Sequence, residues 1–303
     1  MQIIRKDIFK KFKWLKDKNR PFIISADYDG LMCSAFLSHY LKWNLVGYYN
    51  MENIWITNDG IKNKKDIIWV DLNILPEIGK SIGGHITILD NHIPKGLTSS
   101  CNLNVIRNIT NTDFKGKYPL STLSFLLWLY NTPLTMNNFS KFLILHSDSM
   151  WLKYQKYTKN VSKWFDVLEK YQWDNLFSNI DSIDFEKQID QNYYPILISS
   201  GIFSGFSKLS SKHLNIKSRE YKFNPDWDID VMLNLYDLIK NSLKWNTPKI
   251  PIINKKIKGK KYTTDLNHVK KIGLSKFLVN NNVFSYAITS PQKIKYTVFD
   301  KIK

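Results

Sequence analysis

The chain has 303 residues, of which 43% are hydrophobic and 14% aromatic, which excludes wholesale disorder and leaves enough apolar surface for one large core or two. Lys and Arg number 44 against 26 Asp and Glu, so the net charge is +18 and polyanions are the favoured partners, nucleic acid first. Two cysteines, Cys33 and Cys101, exclude a disulfide framework and a Cys-rich zinc module and point to a reducing, cytoplasmic compartment.

The first twenty residues place Ile4, Ile8, Phe12 and Leu15 on one helical face among lysines, a surface helix laid on the fold rather than a transit peptide, since Asp7 and Asp17 interrupt it. From Pro21 short apolar runs alternate with helical stretches. Strands are expected at Phe22–Ile24, Leu45–Tyr49, Asp66–Val70, His85–Leu89 and near Asn104–Ile106. Helices are expected at Leu31–Lys42, Leu120–Tyr130 and Asn138–Leu145. That alternation predicts an α/β domain over residues 1–150, built of βαβ units around a parallel sheet, with ligands beyond the carboxyl ends of the strands.

Residues 151–192 read as a helical connector. Residues 193–303 read as a smaller, basic, mixed α/β domain for substrate, with strands at Pro195–Ser199 and Val283–Ile288, a helix at Asp228–Leu243, and an edge strand at best around Pro251. The halves divided at residue 150 carry +6 and +12, so the basic surplus is C-terminal. Its densest run, Lys255-Lys256-Ile257-Lys258-Gly259-Lys260-Lys261, reads either as a solvated loop or as a track for a nucleic-acid backbone. No run of about 18 apolar residues occurs, so no transmembrane helix and no membrane partner are expected.

Four segments end an apolar element with an acid: Asp27-Tyr28-Asp29-Gly30, Asp71, Asp90-Asn91-His92, and Ser147-Asp148-Ser149. Singly, each has an ordinary explanation as a helix cap or a turn. Together, carboxylates gathered at one sheet edge would repel one another unless a cation neutralised them, and oxygen donors with an imidazole suit manganese or magnesium better than zinc.

The ordered set resembles the DHH phosphoesterase family of RecJ-type exonucleases, nanoRNases, cyclic-dinucleotide phosphodiesterases and family II pyrophosphatases. Asp27-Tyr28-Asp29-Gly30 matches its first motif, Asp71 its second, Asp90-Asn91-His92 its Asp-His-His with Asn91 in place of the first histidine, and Ser147-Asp148-Ser149 its fourth. The resemblance implies two Mn2+ or Mg2+ ions held by Asp27, Asp29, Asp71, Asn91 and Asp148, with Asp71 bridging. It implies Asp90 as an orienting residue and His92 as the group that meets the substrate phosphate. Some relatives carry a histidine where Ser25 stands.

The family's C-terminal Gly-Gly-His signature has no counterpart after residue 190, and Gly83-Gly84-His85 reads as a coincidence of letters. Lys208, Arg219, Lys293 and Lys295 are candidate substrate-phosphate binders on charge and position alone. The expected function is metal-dependent hydrolysis of single-stranded nucleic acid or short oligonucleotides. A small phosphate substrate (a cyclic dinucleotide or pyrophosphate) and a catalytically decayed nucleic-acid-binding scaffold are the alternatives. Oligomeric state is not readable from the sequence.

Overall fold

The computed structural model describes residues 2–75, 79–89, 91–134, 137–199, 206–211 and 216–300, with backbone alone for 197–199, 206–211 and 216–220. In chain order its elements are α1 (Arg5–Lys11), β1 (Pro21–Ser25), α2 (Tyr28–Leu41), β2 (Asn44–Tyr49), β3 (Asn53–Ile56), α3 (Asn58–Lys62), β4 (Ile68–Val70), β5 (Lys80–Gly83), β6 (Ser100–Asn102) and α4 (Leu103–Ile106). Eight helices follow: α5 (Thr122–Leu129), α6 (Asn138–His146), α7 (Met150–Lys156), α8 (Thr158–Val167), α9 (Trp173–Phe177), α10 (Ser182–Gln188), α11 (Tyr194–Ser199) and, after the hairpin β7 (Phe206–Ser211) and β8 (Ile216–Glu220), α12 (Ile229–Leu243). The chain closes with β9 (Lys255–Asp265), α13 (Leu266–Ile272), α14 (Leu274–Asn280), β10 (Val283–Ser290) and β11 (Lys293–Phe299).

Two compact units share this chain: residues 1–16, 26–42 and 119–250 form one, and 17–25, 43–118 and 251–303 the other. The second unit holds a nine-stranded sheet in the order β10-β11-β9-β3-β2-β1-β4-β5-β6. Strands β2, β1, β4, β5 and β6 run parallel, whereas β3, β9, β11 and β10 pair antiparallel. The fold is therefore α/β: the expected parallel strands are present, but β3 and the C-terminal β9, β11 and β10 extend them antiparallel into one mixed sheet. The parallel half follows from composition: Phe22, Ile23 and Ile24 of β1 and Ile68 and Val70 of β4 are wholly buried, as strands covered on both faces must be. One core cluster of this unit gathers Ile23, Tyr49, Ile54, Ile56 and Trp69. Another gathers Ile86, Ile88 and Leu89 with Leu266, Phe277 and Tyr286.

The first unit is helical apart from its hairpin. Helix α2 is buried from Tyr28 through Leu37, so it has almost no polar face. Ser34 of α2 and Tyr236 of α12 share a hydroxyl hydrogen bond at 2.7 Å. The N-terminal helix behaves as its pattern demands, with Ile8, Phe12 and Leu15 buried. Arg5 ties it down through Nε to the Trp128 carbonyl at 2.6 Å and an ion pair to Glu169 at 3.2 Å.

Several expected elements are displaced. The fourth strand is Lys80–Gly83, while 85–89 makes only single bridges, Ile88 to Thr110 and Leu89 to His92. Its apolar residues enter the core without a ladder, so burial alone produced a strand-like run. The strand near 104 lies earlier, at Ser100–Asn102, because the Asn102 side chain accepts the N–H groups of Asn104 and Val105 and starts α4 there. Pro195–Ser199 is helical within α11, which continues without a break from α10 through a π turn at Ile189–Tyr193, and the proline stands just past that π turn, where the ordinary hydrogen-bond ladder is already interrupted. Residues 250–253 form no strand, and β3 had no expectation. The lysine run is strand β9, bonded to β3 and β11, rather than a loop.

Candidate functional site

In the helical unit, the segment after β1 is held as a short extended ladder. Tyr28 N–H donates to the Tyr221 carbonyl at 2.9 Å and Phe223 N–H to the Ala26 carbonyl at 3.1 Å. Asp27, between them, is the N-cap of α2 and accepts the Gly30 N–H at 3.0 Å. Asp29, two residues on, is 2% exposed. Its Oδ2 accepts the Thr122 N–H at 2.8 Å and its Oδ1 the Leu123 N–H at 3.3 Å, so its charge meets the positive end of α5.

Asp148 reaches the same place from the junction of α6 and α7. Asp148 and Ser149 both adopt left-handed backbone, with φ of 53° and 54°. Two successive non-glycine residues in that region are strained, and such strain clusters where a side chain must be aimed. Asp27, Asp29 and Asp148 line one small pocket with Tyr28, His146 and Tyr221. Carboxylate oxygens of Asp29 and Asp148 come within 4.8 Å of each other. Lys153 approaches Asp148 at 3.4 Å.

The tyrosines around this pocket serve as donors and walls. Tyr28 donates its hydroxyl to the Leu143 carbonyl at 3.0 Å, and its ring meets those of His146 and Tyr193 edge-on. Burial, reinforced by Asp29 and Tyr194, pushes the Tyr28 hydroxyl well above its ordinary value. Burial pushes Tyr193 up in the same way. Burial thus favours the protonated phenol in both.

In the sheet unit, Asp71 directly follows β4, is buried, and also has left-handed backbone, φ 60°. Ser25 Oγ donates to its Oδ2 at 2.6 Å, and His85 Nε2 lies 2.8 Å from its Oδ1. Facing a carboxylate, that ring nitrogen carries the proton. His85 is thus a partner that sequence reasoning set aside. The signal was present in Gly83-Gly84-His85, but only the positions of β4 and β5 reveal its target.

Asn91 and His92 occupy a tight turn closed by His92 N–H to the Leu89 carbonyl at 3.0 Å, with Asn91 exposed at φ 58°. Left-handed backbone suits asparagine better than histidine, which gives Asn91 a conformational reason. The His92 ring bonds the Ser275 hydroxyl of α14. Asp90 lies outside the described residues. Lys208 sits on β7 and Arg219 on β8, and their side chains lie outside the described atoms. Lys293 and Lys295 are exposed on β11, with Asp265 and Thr263 as their strand neighbours.

These donors suit a hard divalent cation. Each ionised carboxylate offers about four lone-pair positions, so the backbone N–H groups at Asp27 and Asp29 leave acceptor capacity over. Two carboxylates at under 5 Å attract a cation by the same repulsion that opposes their joint burial.

Comparison with protein-family models, with curated proteins and with solved structures finds no match to this chain. Among the described residues, no helix is long and apolar enough to cross a membrane.

Proposed function

We propose that this chain is a metal-dependent phosphodiesterase acting on single-stranded nucleic acid or short oligonucleotides, with Asp27, Asp29 and Asp148 as ligands for manganese or magnesium. The observation that carries this reading is the meeting of the first and fourth motifs: Asp27 and Asp29 line a single pocket with Asp148, which is remote from them in the chain. Bound divalent ions would supply an activated water for in-line attack on phosphorus.

The protein's own residues hold the geometry. The N-terminus of α5 fixes Asp29, the cap of α2 fixes Asp27, and the strained turn aims Asp148. Ser25 and His85 fix the rotamer of Asp71. His92 is the group that the resemblance assigns to the substrate phosphate, and Asp90 is the orienting residue that it implies. The net charge of +18 favours a polymeric anion over a small one.

The test is a panel of labelled single-stranded DNA and RNA, dinucleotides, cyclic dinucleotides and pyrophosphate, each with manganese and with chelator. Manganese-dependent cleavage of the linear strands, lost in Asp29→Asn, is the expected result. Cleavage confined to pyrophosphate or cyclic dinucleotides would replace the substrate class. No hydrolysis of any member would leave a binding scaffold.

A further inference from the structure

The lysine run divides between two faces. Strand β9 pairs with β3 over Lys255–Lys258 and with β11 over Gly259–Asp265 without a register shift, so its side chains alternate throughout. Ile257 points with Lys255, Gly259 and Lys261 to the face that packs on the Ile23–Tyr49–Trp69 cluster. Lys256, Lys258, Lys260 and Tyr262 share the other face. Lys256 Nζ stands over the Trp55 ring at 4.9 Å. Lys260 makes one ion pair, to Asp300 at 3.5 Å, with both groups mostly solvated. Among the five lysines of β9 stands a single acid, Asp265, at its far end.

Tyr262 ends this row. Its ring stacks on Tyr296 at 5.4 Å and 24°, and Tyr296 is propped edge-on by Phe277 of α14 at 5.2 Å. The outer ring remains 43% exposed. A stack braced from below and open above is a platform for a planar ligand.

We infer that this face of β9 binds single-stranded nucleic acid, with Lys256, Lys258 and Lys260 along the phosphates and Tyr262 under a base. Alternate residues of a strand are roughly 6.6–6.8 Å apart, close to the spacing of successive phosphates in an extended single strand. In a duplex the bases are stacked inside and cannot reach Tyr262, and an anionic bilayer has no need of a row one residue wide. The site depends on the reading above only for the class of partner and is independent of hydrolysis.

The test uses the full chain in EDTA, where cleavage cannot occur, with fluorescence anisotropy of labelled oligo(dT) and oligo(U). The triple variant Lys256→Gln/Lys258→Gln/Lys260→Gln should bind more weakly and lose about 2 units of the log affinity against log salt slope. Lys255→Gln/Lys261→Gln, on the opposite face, should change it far less. Tyr262→Ala should weaken binding roughly ten-fold while Tyr262→Phe keeps it, because stacking needs the ring and not the hydroxyl. Equal losses from the two lysine sets, no effect of Tyr262→Ala, or preference for a duplex or for phosphatidylserine vesicles would each overturn the site. Manganese-dependent cleavage of a dinucleotide, too short to span the row, reads the hydrolytic centre separately.

Discussion

Asp29 on the first turn of α2 accepts the N–H of Thr122, the first residue of α5, at 2.8 Å. Ser121 caps the same helix from its own chain neighbourhood, accepting the Ser124 N–H at 3.0 Å. The helix thus has two acceptors at its start, one local and one delivered by tertiary structure. A residue that resembles a metal ligand by its motif also closes the polar ledger of a buried helix end.

That double duty separates two substitutions. Asp29→Ala leaves two buried N–H groups without their acceptor and should lower stability by about 1–3 kcal/mol. Asp29→Asn keeps an oxygen for one of them and should lose less. Urea unfolding of both, beside manganese-dependent hydrolysis, checks this. Hydrolysis should vanish in both, and full activity in Asp29→Asn would remove Asp29 from the metal site.

Asp71 can be dissected through its backbone. Asp71→Ala removes the acceptor of Ser25 and His85 and places an alanine in left-handed conformation, which costs about 1–2 kcal/mol by itself. Asp71→Asn tolerates that backbone and keeps one acceptor, so its unfolding midpoint should lie nearer the parent's. Equal midpoints for Ala and Asn would mean that neither the φ angle nor the Ser25 bond contributes.

Manganese should raise the thermal unfolding midpoint of the parent protein, by mass action equivalent to about 2.7 kcal/mol at a hundredfold excess over Kd. Asp148→Asn keeps a residue that accepts left-handed φ and relieves the repulsion with Asp29. In metal-free buffer it should be at least as stable as the parent, and it should lose most of the manganese response. An unchanged response would place the cation elsewhere.

The pH dependence of folding should carry a signature of His39. Its Nδ1 accepts the Asn246 N–H at 3.0 Å, which requires the neutral ring. Burial, with Lys42 nearby, lowers its pKa from the ordinary 6.5. The folded state therefore binds fewer protons than the unfolded one between the lowered value and 6.5. Its contribution is present above 6.5 and lost as pH falls through the folded value. In His39→Gln, stability measured from pH 7.5 to 5 should decline less than in the parent, and parallel curves would refute the assignment.

Much of the frame was readable because it is local. The run Phe22-Ile23-Ile24 followed by Asp27 and Gly30 specifies a buried strand, a cap and a helix within a dozen residues, and those elements form there. The N-terminal helix, α6 and α12 likewise carry their own period, and α5 is an apolar run buried all round. Asn102 carries a local signal of another kind: as a cap directly ahead of Leu103-Asn104-Val105-Ile106 it turns that segment into α4 instead of a strand.

What the chain's pattern determined is which segments must be buried and which residues carry charge at their ends. What only tertiary structure decided is where those ends meet. Lys255–Lys261 has the composition of a loop, yet β3 and β11 offer backbone partners on both sides, and ladder bonding overrides a polar sequence whose side chains remain solvated. His85 gains its role from Asp71, whose left-handed turn aims the carboxylate at it. Asp148 joins Asp27 and Asp29 through a kink that no hydrophobic period announces. In each case the deciding interaction joins residues remote in sequence or rests on a φ angle that the side-chain pattern does not encode.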